Sequence, residues 1–142
     1  MEENRKKILE IARSFVGQKY EHPNPLETLP GVSDCSSFIQ EVYKEININI
    51  PRSALAQATR GEEVKDKKDL EVGDLIFFRS KKGHYNDEWF PQKNIYVGHV
   101  AISAGDEKVI HNSFKNKMVA EENLDQVISY EGEIILIKRI LV

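Results

Sequence analysis

Three side chains of this sequence have the chemistry for nucleophilic catalysis: Cys35, His99 and His111. Cys35 is the one cysteine of the chain, and the helical periodicity that follows it predicts that it stands at the start of a helix. The partial positive charge of a helix N-terminus favours a thiolate, and a neighbouring imidazole completes such a nucleophile. The alternative is that Cys35 is a small buried hydrophobic residue, against which its polar neighbours argue.

The two histidines fall on neighbouring predicted strands. His99 lies in the apolar run Val97–Ile102, and His111 follows after a tight turn. Opposite residues of antiparallel strands lie about 5 Å apart, so His111 is placed to hydrogen-bond His99 and fix its tautomer. The alternative is that His99 is a buried structural residue and His111 a polar residue near a strand end. His22 and His84 lie in predicted loops, where we expect exposure rather than function.

A metal site built from His99, His111 and a carboxylate is a further option. No HExxH motif and no clustered ligand spacing supports it. We therefore expect neither a metal nor another cofactor.

The elements that must position these residues follow from hydrophobic periodicity. Helical spacing predicts a helix over Glu3–Val16 and a second from about Asp34, with Ser33 and Asp34 as N-cap candidates. The proline-rich stretch Gln18–Ser33 is interpreted as a long irregular loop, and Ser53–Arg60 as a short helix. Strands are predicted at Leu75–Phe78, Val97–Ala104, Lys108–Asn112 and Glu133–Val142.

Helices followed by strands predict an α+β domain with an antiparallel sheet. No repeat or linker divides the chain, so we expect a single domain over residues 1–142. Apolar residues make up 40% and charged residues 30% of the sequence, as is ordinary for a globular protein.

Charge and hydropathy exclude several classes of partner. The net charge of −3 gives no general attraction to nucleic acid or to an anionic membrane. No apolar run approaches the roughly 20 residues that cross a bilayer. The N-terminus has no apolar secretory signal, so we expect a cytoplasmic protein, export by another route or a leader already removed. The sequence carries no signal for an oligomeric state.

Five short motifs occur in a recognisable order: Asp34–Phe38, Pro51–Gln57, Leu70–Phe78, Gly98–Ile102 and Ile110–Ser113. Their order and spacing resemble the NlpC-type cysteine peptidases over essentially the whole chain. The resemblance implies a papain-like fold, in which the helix that bears the nucleophile packs on a small antiparallel sheet that carries the histidines. It also implies hydrolysis of an amide bond in peptidoglycan stem peptides, often between D-glutamate and the diamino acid that follows.

The resemblance also implies roles for individual residues. Cys35 resembles the nucleophile, His99 the general base and acid, and His111 the residue that orients His99. Two departures stand out: Ser37 replaces the usual glycine, and the segment Lys81–Tyr96 is longer than expected. This segment, with Trp89 and Phe90, is interpreted as a wall of the substrate cleft or as a flap over the sheet edge.

Three further residues resemble positions that contact substrate. Tyr20 resembles a tyrosine that lines the cleft, although it is equally a core-edge aromatic with its hydroxyl in water. Asp34 and Ser36 resemble positions that hold the substrate's free amino terminus in some members. Capping of the second helix is the simpler role for Asp34.

Other functions remain open for the same constellation. A papain-like site can hydrolyse a different amide, transfer an acyl group to an acceptor other than water, or belong to a lytic effector. The rival from another class is a binding module with a degenerate site, in which Cys35 has no catalytic role.

Overall fold

The computed structural model of the chain describes residues 2–21, 32–84, 90 and 96–141, without the side chains of residues 32, 33 and 80–84. The helices are Glu2–Ser14 (α1), Cys35–Lys44 (α2), Ala54–Gln57 (α3) and Leu124–Glu131 (α4). The strands are Lys19–Tyr20 (β1), Val32–Ser33 (β2), Glu62–Glu63 (β3), Leu75–His84 (β4), Val97–Gly105 (β5), Lys108–Ser113 (β6), Met118–Asn123 (β7) and Ile134–Arg139 (β8).

These strands form one eight-stranded sheet in the order β2-β1-β7-β6-β5-β4-β8-β3. Every pair is antiparallel except β1 and β2, which run parallel at one edge. The predicted α+β fold with an antiparallel sheet is confirmed. The central strands β4 and β5 are the longest, and β5 and β6 carry the two histidines.

Helix α2 packs its apolar face on the middle of the sheet. Phe38, Ile39 and Val42 are fully buried at helical spacing and join a core with Val100 and Ile110 of β5 and β6. Burying a side chain of this size contributes about 1.5–3 kcal/mol. The position of the first residue of α2 relative to β5 is therefore fixed by the main core of the protein.

A second core lies on the opposite face of the sheet, under α4. Ile76 and Phe78 of β4 pack there with Ala101 of β5 and Val127 of α4. Alternate residues of a strand point to opposite faces, so β4 and β5 supply both cores.

The predicted elements differ from the structure mainly at their ends. The segment Gln18–Ser33 is paired at both ends, because Lys19 lies opposite Val32 and Tyr20 opposite Ser33. The interpretation of that segment as irregular throughout is wrong at these positions; residues 22–31, including His22, lie outside the described part of the chain.

Strand β4 is longer than the predicted Leu75–Phe78. It continues to His84, which lies opposite Val97 on β5, so the prediction of His84 in a loop is wrong. Strand β7 and helix α4 were not predicted at all. Among the described residues, no helix is both long and apolar enough to span a membrane.

Candidate active site

Cys35 is the first residue of α2, as predicted, and a reciprocal cap fixes this helix start. The Asp34 carboxylate accepts the backbone N–H of Ser37 at 2.8 Å, and the Ser37 hydroxyl accepts the backbone N–H of Asp34 at 2.8 Å. Such a capping box satisfies two donors that a helix start leaves unpaired. The capping role of Asp34 is therefore confirmed, and Ser37, which departs from the family's glycine, supplies the other half of the cap.

Arg52 ties this cap to the segment before α3. Its guanidinium donates to Asp34 Oδ2 at 2.8 Å and to the Ser36 hydroxyl at 2.8 Å. Burial raises the pKa of Asp34, but hydrogen bonds from Arg52 and the Ser37 N–H outweigh burial, and the pKa is lowered overall. Asp34 is thus a carboxylate at neutral pH, and the helix starts with a fixed negative charge beside Cys35.

The Cys35 sulfur lies against strand β5. It is hydrogen-bonded by the backbone N–H groups of Val100 and Ser36. Because the Val100 nitrogen belongs to the peptide that follows His99, the thiol sits beside the backbone of the predicted base. The start of α2 and the histidine-bearing strand therefore meet at this point.

The predicted favouring of the thiolate by the helix N-terminus is wrong. Burial raises the pKa of Cys35 to about 12, and the negative charges of Asp34 and Glu131 add to it. The two backbone hydrogen bonds lower the pKa but do not compensate. The physical reason is that burial removes the water that would solvate a thiolate, and the carboxylate of the N-cap Asp34 adds to this effect.

His99 and His111 form a direct hydrogen bond, as predicted from strand spacing. His99 Nε2 lies 2.7 Å from His111 Nδ1, and both side chains are buried. Burial lowers the pKa of His99 well below its usual value, and the charge of His111 adds to this. Burial also lowers the pKa of His111, although Glu122 opposes it. At neutral pH both rings are uncharged, and Nδ1 of His99 is the ring nitrogen left for a reaction.

Three polar side chains that the sequence analysis did not single out lie close to Nε2 of His111. Glu122 Oε2 lies 2.6 Å from His111 Nε2 and accepts Asn116 Nδ2–H at 2.8 Å. The Tyr130 hydroxyl also donates to Glu122 Oε2 and lies 3.2 Å from His111 Nε2. Glu122 belongs to β7 and Tyr130 to α4, and neither element was predicted.

Glu131, the last residue of α4, approaches from the other side of His99. Its Oε2 lies 3.9 Å from His99 Nδ1, and its side chain is 20% exposed. Burial raises the pKa of Glu131, and the charge of Glu122 adds to this. The charge of Glu131 also raises the pKa of Cys35 and of Tyr20, so this carboxyl group acts on both side chains as well as on His99.

Tyr20, on β1, is partly buried and packs against an exposed aromatic ring. Its ring packs edge-on against Phe114 with 5.8 Å between ring centroids, and Phe114 is 74% exposed. Burial raises the pKa of Tyr20 to about 12, and the charges of Cys35 and Asp34 add to it. The Tyr20 hydroxyl is therefore a hydrogen-bond donor at neutral pH. Phe114 was missed because it lies just beyond the predicted strand Lys108–Asn112, where an exposed aromatic carries no distinctive pattern.

The expectations for Lys81–Tyr96 concern residues that are mostly outside the described part of the chain, Trp89 among them. Phe90 is described, and it packs partly buried against the main core. Among the described residues, no group of three or more His, Cys, Asp or Glu side chains is arranged to hold a metal ion.

Comparison with known proteins places this arrangement in a family. The profile of the NlpC/P60 family matches residues 17–134, which contain every side chain named above. The chain belongs to the NlpC/P60 family. A relative from Haemophilus influenzae, named a probable endopeptidase, is 35% identical over 107 residues, which are 72% of this chain and 59% of that protein. The gamma-D-glutamyl-L-lysine dipeptidyl-peptidase of Bacillus cereus is 39% identical over 79 residues, 56% of this chain and 20% of that enzyme.

The fold of this NlpC/P60 chain has a close counterpart among solved structures. NlpC2 from Trichomonas vaginalis matches it with a TM-score of 0.75 and 25% identity, over 96% of this chain and 46% of that one. The chain spans less than two thirds of the length of each relative named here. The predicted family and fold are confirmed, and the two curated relatives named here are named as peptidases.

Proposed function

We propose that this NlpC/P60 chain is a cysteine peptidase that hydrolyses an amide bond in peptidoglycan stem peptides, between D-glutamate and the diamino acid that follows it. The observation that carries the proposal is that Cys35 lies beside the His99–Val100 peptide of β5, the strand whose His99 is hydrogen-bonded to His111. The name of the Bacillus cereus relative supports the substrate class. We take residues 1–142 as one catalytic domain, which the continuous sheet of the described residues supports.

In the proposed reaction the Cys35 sulfur attacks the scissile carbonyl carbon while Nδ1 of His99 takes the thiol proton. The new sulfur–carbon bond moves the carbonyl electrons onto oxygen, and the carbon–nitrogen bond then breaks. His99 returns the proton to the leaving amine, and water hydrolyses the resulting thioester. Because both the thiol and the imidazole are neutral in the free protein, proton transfer accompanies the attack.

Hydrogen-bond donors for the oxyanion are available beside the sulfur. The backbone N–H of Cys35 stands at the first position of α2, where no carbonyl four residues back belongs to the helix. The protonated Tyr20 hydroxyl is a second donor near Cys35. A donor placed at such a position commonly contributes 10²–10³-fold to turnover, because its dipole is already oriented when the charge develops.

The side chains beside the cap are proposed to contact the substrate. Tyr20 lines the cleft together with Phe114, and Ser36 and Asp34 recognise the free amino terminus of the stem peptide. Arg52 already engages both Ser36 and Asp34, so it fixes their positions and balances the charge of the carboxylate. The substrate amine is then oriented by hydrogen bonds rather than by a strong net charge.

The first experiment incubates the reduced protein with the tripeptide L-Ala–γ-D-Glu–L-Lys and follows the products by mass spectrometry. We expect free lysine and the dipeptide L-Ala–D-Glu from the wild type and no product from Cys35→Ala. An N-acetylated tripeptide tests the amino-terminal contact and should be cleaved more slowly. Cleavage that persists in Cys35→Ala refutes the nucleophile, and an intact tripeptide with folded wild type directs the search to other amides or to acyl transfer.

A further inference from the structure

The hydrogen-bonded pair of His99 and His111 is held from behind by one carboxylate oxygen. Oε2 of Glu122 accepts from Asn116 at 2.8 Å and from the Tyr130 hydroxyl, and it lies 2.6 Å from His111 Nε2. These three partners come from the β6–β7 turn, from α4 and from β6. Three parts of the fold therefore fix the position of this oxygen.

Glu122 is an anion at neutral pH, although its side chain is only 16% exposed. Burial raises the pKa of Glu122, but the hydrogen bonds from Tyr130, His111 and Asn116 outweigh burial and lower the pKa overall. A carboxylate only accepts hydrogen bonds. The short contact between Glu122 and His111 therefore requires a proton on Nε2 of His111.

The proton on Nε2 determines the rest of the chain of hydrogen bonds. A neutral imidazole carries one proton, so Nδ1 of His111 has a lone pair and accepts from Nε2–H of His99. His99 is also neutral, so its own Nδ1 has a lone pair. That lone pair is what a base needs in order to take the proton of the Cys35 thiol.

We propose that Glu122 is a positioning residue that sets the tautomer of His99 through His111. Only the catalytic role of the tautomer rests on the proposed function, because the tautomer itself is set in the free protein. Without an acceptor at this place, His111 is free to carry its proton on Nδ1 and donate it to His99. His99 then holds its proton on Nδ1 and has no lone pair for the thiol.

The tautomers are directly measurable by two-bond ¹H–¹⁵N correlation spectra of the histidine rings at pH 7. Replacing His22 and His84 by asparagine leaves only His99 and His111 among the four histidines of the chain. In this background we expect both rings to carry the proton on Nε2. If either ring carries its proton on Nδ1 while Glu122 is still present, the inference is overturned.

Substitutions in the same background then test the role of the carboxylate. Glu122→Ala removes the acceptor and should give a mixture of Nδ1–H and Nε2–H forms of His99. Glu122→Gln retains an oxygen for the three donors and should restore the Nε2–H form. Glu121→Gln is the matched control, because Glu121 is the preceding residue of β7 and pairs with Arg13 at 2.9 Å. Unchanged tautomers in a folded Glu122→Ala protein contradict the inference.

Activity provides a separate readout on the tripeptide. We expect kcat to fall roughly 10²-fold or more in Glu122→Ala with little change in KM, the range that a general base commonly supplies. Glu122→Gln should recover most of that loss. If the tautomers respond as expected but wild type cleaves no tripeptide, the proposed function fails and the role of Glu122 stands. If wild type cleaves and the tautomers ignore Glu122, only this inference fails.

Discussion

At the scale of single residues, Cys35 is a thiol removed from water, with two carboxyl groups nearby. The carboxylate of Asp34 caps its helix, and the carboxyl group of Glu131 lies near both Cys35 and His99. The raised pKa of Cys35 and the lowered pKa of His99 both favour the neutral pair over the thiolate–imidazolium pair. The free protein is therefore expected to protect its thiol until a substrate carbonyl is in place.

The rate of alkylation of Cys35 tests this charge state. The chain has one cysteine, so mass spectrometry after treatment with iodoacetamide reports on that residue alone. We expect the rate to keep rising above pH 9, because the pKa of Cys35 is raised to about 12. A fast rate that is already constant between pH 6 and 7 would show a preformed thiolate and contradict this prediction.

The same assay measures the contribution of Glu131. Glu131→Gln removes a charge that raises the pKa of Cys35, so alkylation at pH 8 should become several times faster. Glu133→Gln is the control, because Glu133 has a 71% exposed side chain and pairs with Arg79 at 3.2 Å. A slower or unchanged rate in Glu131→Gln would place its charge too far from the sulfur to matter.

At the scale of elements, the site depends on how α3 is joined to α2. Gln57 of α3 is fully buried, and its amide donates to the carbonyl of Ser36 at 2.9 Å and to that of Pro51 at 2.9 Å. The first bond holds the start of α2 and the second holds the segment that carries Arg52. The buried amide of Gln57 thus fixes the position of the start of α2 relative to the segment that carries Arg52.

Gln57→Ala should lower the free energy of unfolding by about 2–3 kcal/mol, because it leaves one buried and one partly buried carbonyl without their donor. Gln57→Glu should be at least as damaging, since a carboxylate at this position faces two carbonyl oxygens. Urea denaturation followed by circular dichroism measures both. Gln126→Ala, at an exposed position of α4, is the control and should leave the midpoint unchanged. A Gln57→Glu protein as stable as wild type would refute this role.

Helix α2 and strands β5 and β6 were predictable because their own side chains specify them. Apolar residues at helical spacing and the cap at Asp34 define α2, and the apolar runs around His99 and His111 define the strands. Strand β7 has the sequence Met-Val-Ala-Glu-Glu-Asn, in which only Val119 is buried, so its pairing with β6 rather than its composition makes it a strand. Tertiary pairing of this kind overrides local preference.

Helix α4 was missed for a related reason. It has eight residues, its N-cap Asn123 makes no side-chain cap, and only Leu124 and Val127 are buried. Short helices gain most of their stability from packing, which the sequence does not display. The sequence therefore did not mark three residues near the histidines: Glu122, Tyr130 and Glu131. Each is a common surface residue type, and each lies on an element that was not predicted.

At the scale of the whole molecule, the entry to the central strand β4 is clamped to the closing strand β8. Asp74 has a 1% exposed side chain, and Arg139 donates to its two oxygens at 3.0 and 2.9 Å. Arg5 of α1 adds bonds to the carbonyls of Val72 and Leu141. The first helix, the last strand and the centre of the sheet are thus joined through two guanidinium groups.

Asp74→Asn should lower the free energy of unfolding by about 2–3 kcal/mol. This loss is somewhat smaller than the loss on breaking a fully buried ion pair, because Arg139 keeps contact with water. The same urea experiment measures this loss. Asp125→Asn is the control: its side chain is 87% exposed and lies 3.7 Å from Lys67, so no measurable change is expected. Equal stability of the two variants would mean that the clamp contributes nothing beyond a surface pair.

The ion pair of Asp74 with Arg139 also gives a structural role to one of the five motifs. The stretch Leu70–Phe78 served as one of five family signatures, yet Asp74 within it has no contact with the histidines in the described structure. Motif order therefore identified the family; the catalytic roles of Cys35, His99 and His111 stay predictions. Motif order did not distinguish residues of the candidate site from residues that stabilise the fold, because a family's sequence pattern contains both.

The parallel pairing of β1 with β2 has a consequence for how such a protein can diverge. Lys19 and Tyr20 are joined to Val32 and Ser33, so Tyr20 and Cys35 are fixed on either side of the chain segment 21–31. The entropic cost of holding two points of a chain together grows slowly with the number of residues between them, by only about 0.6 kcal/mol for each doubling. We therefore expect that a change in chain length between Tyr20 and Val32 costs little stability, provided that Lys19 still pairs with Val32 and Tyr20 with Ser33. The place of Cys35 in the fold is then independent of how many residues an evolving sequence carries between these two strands.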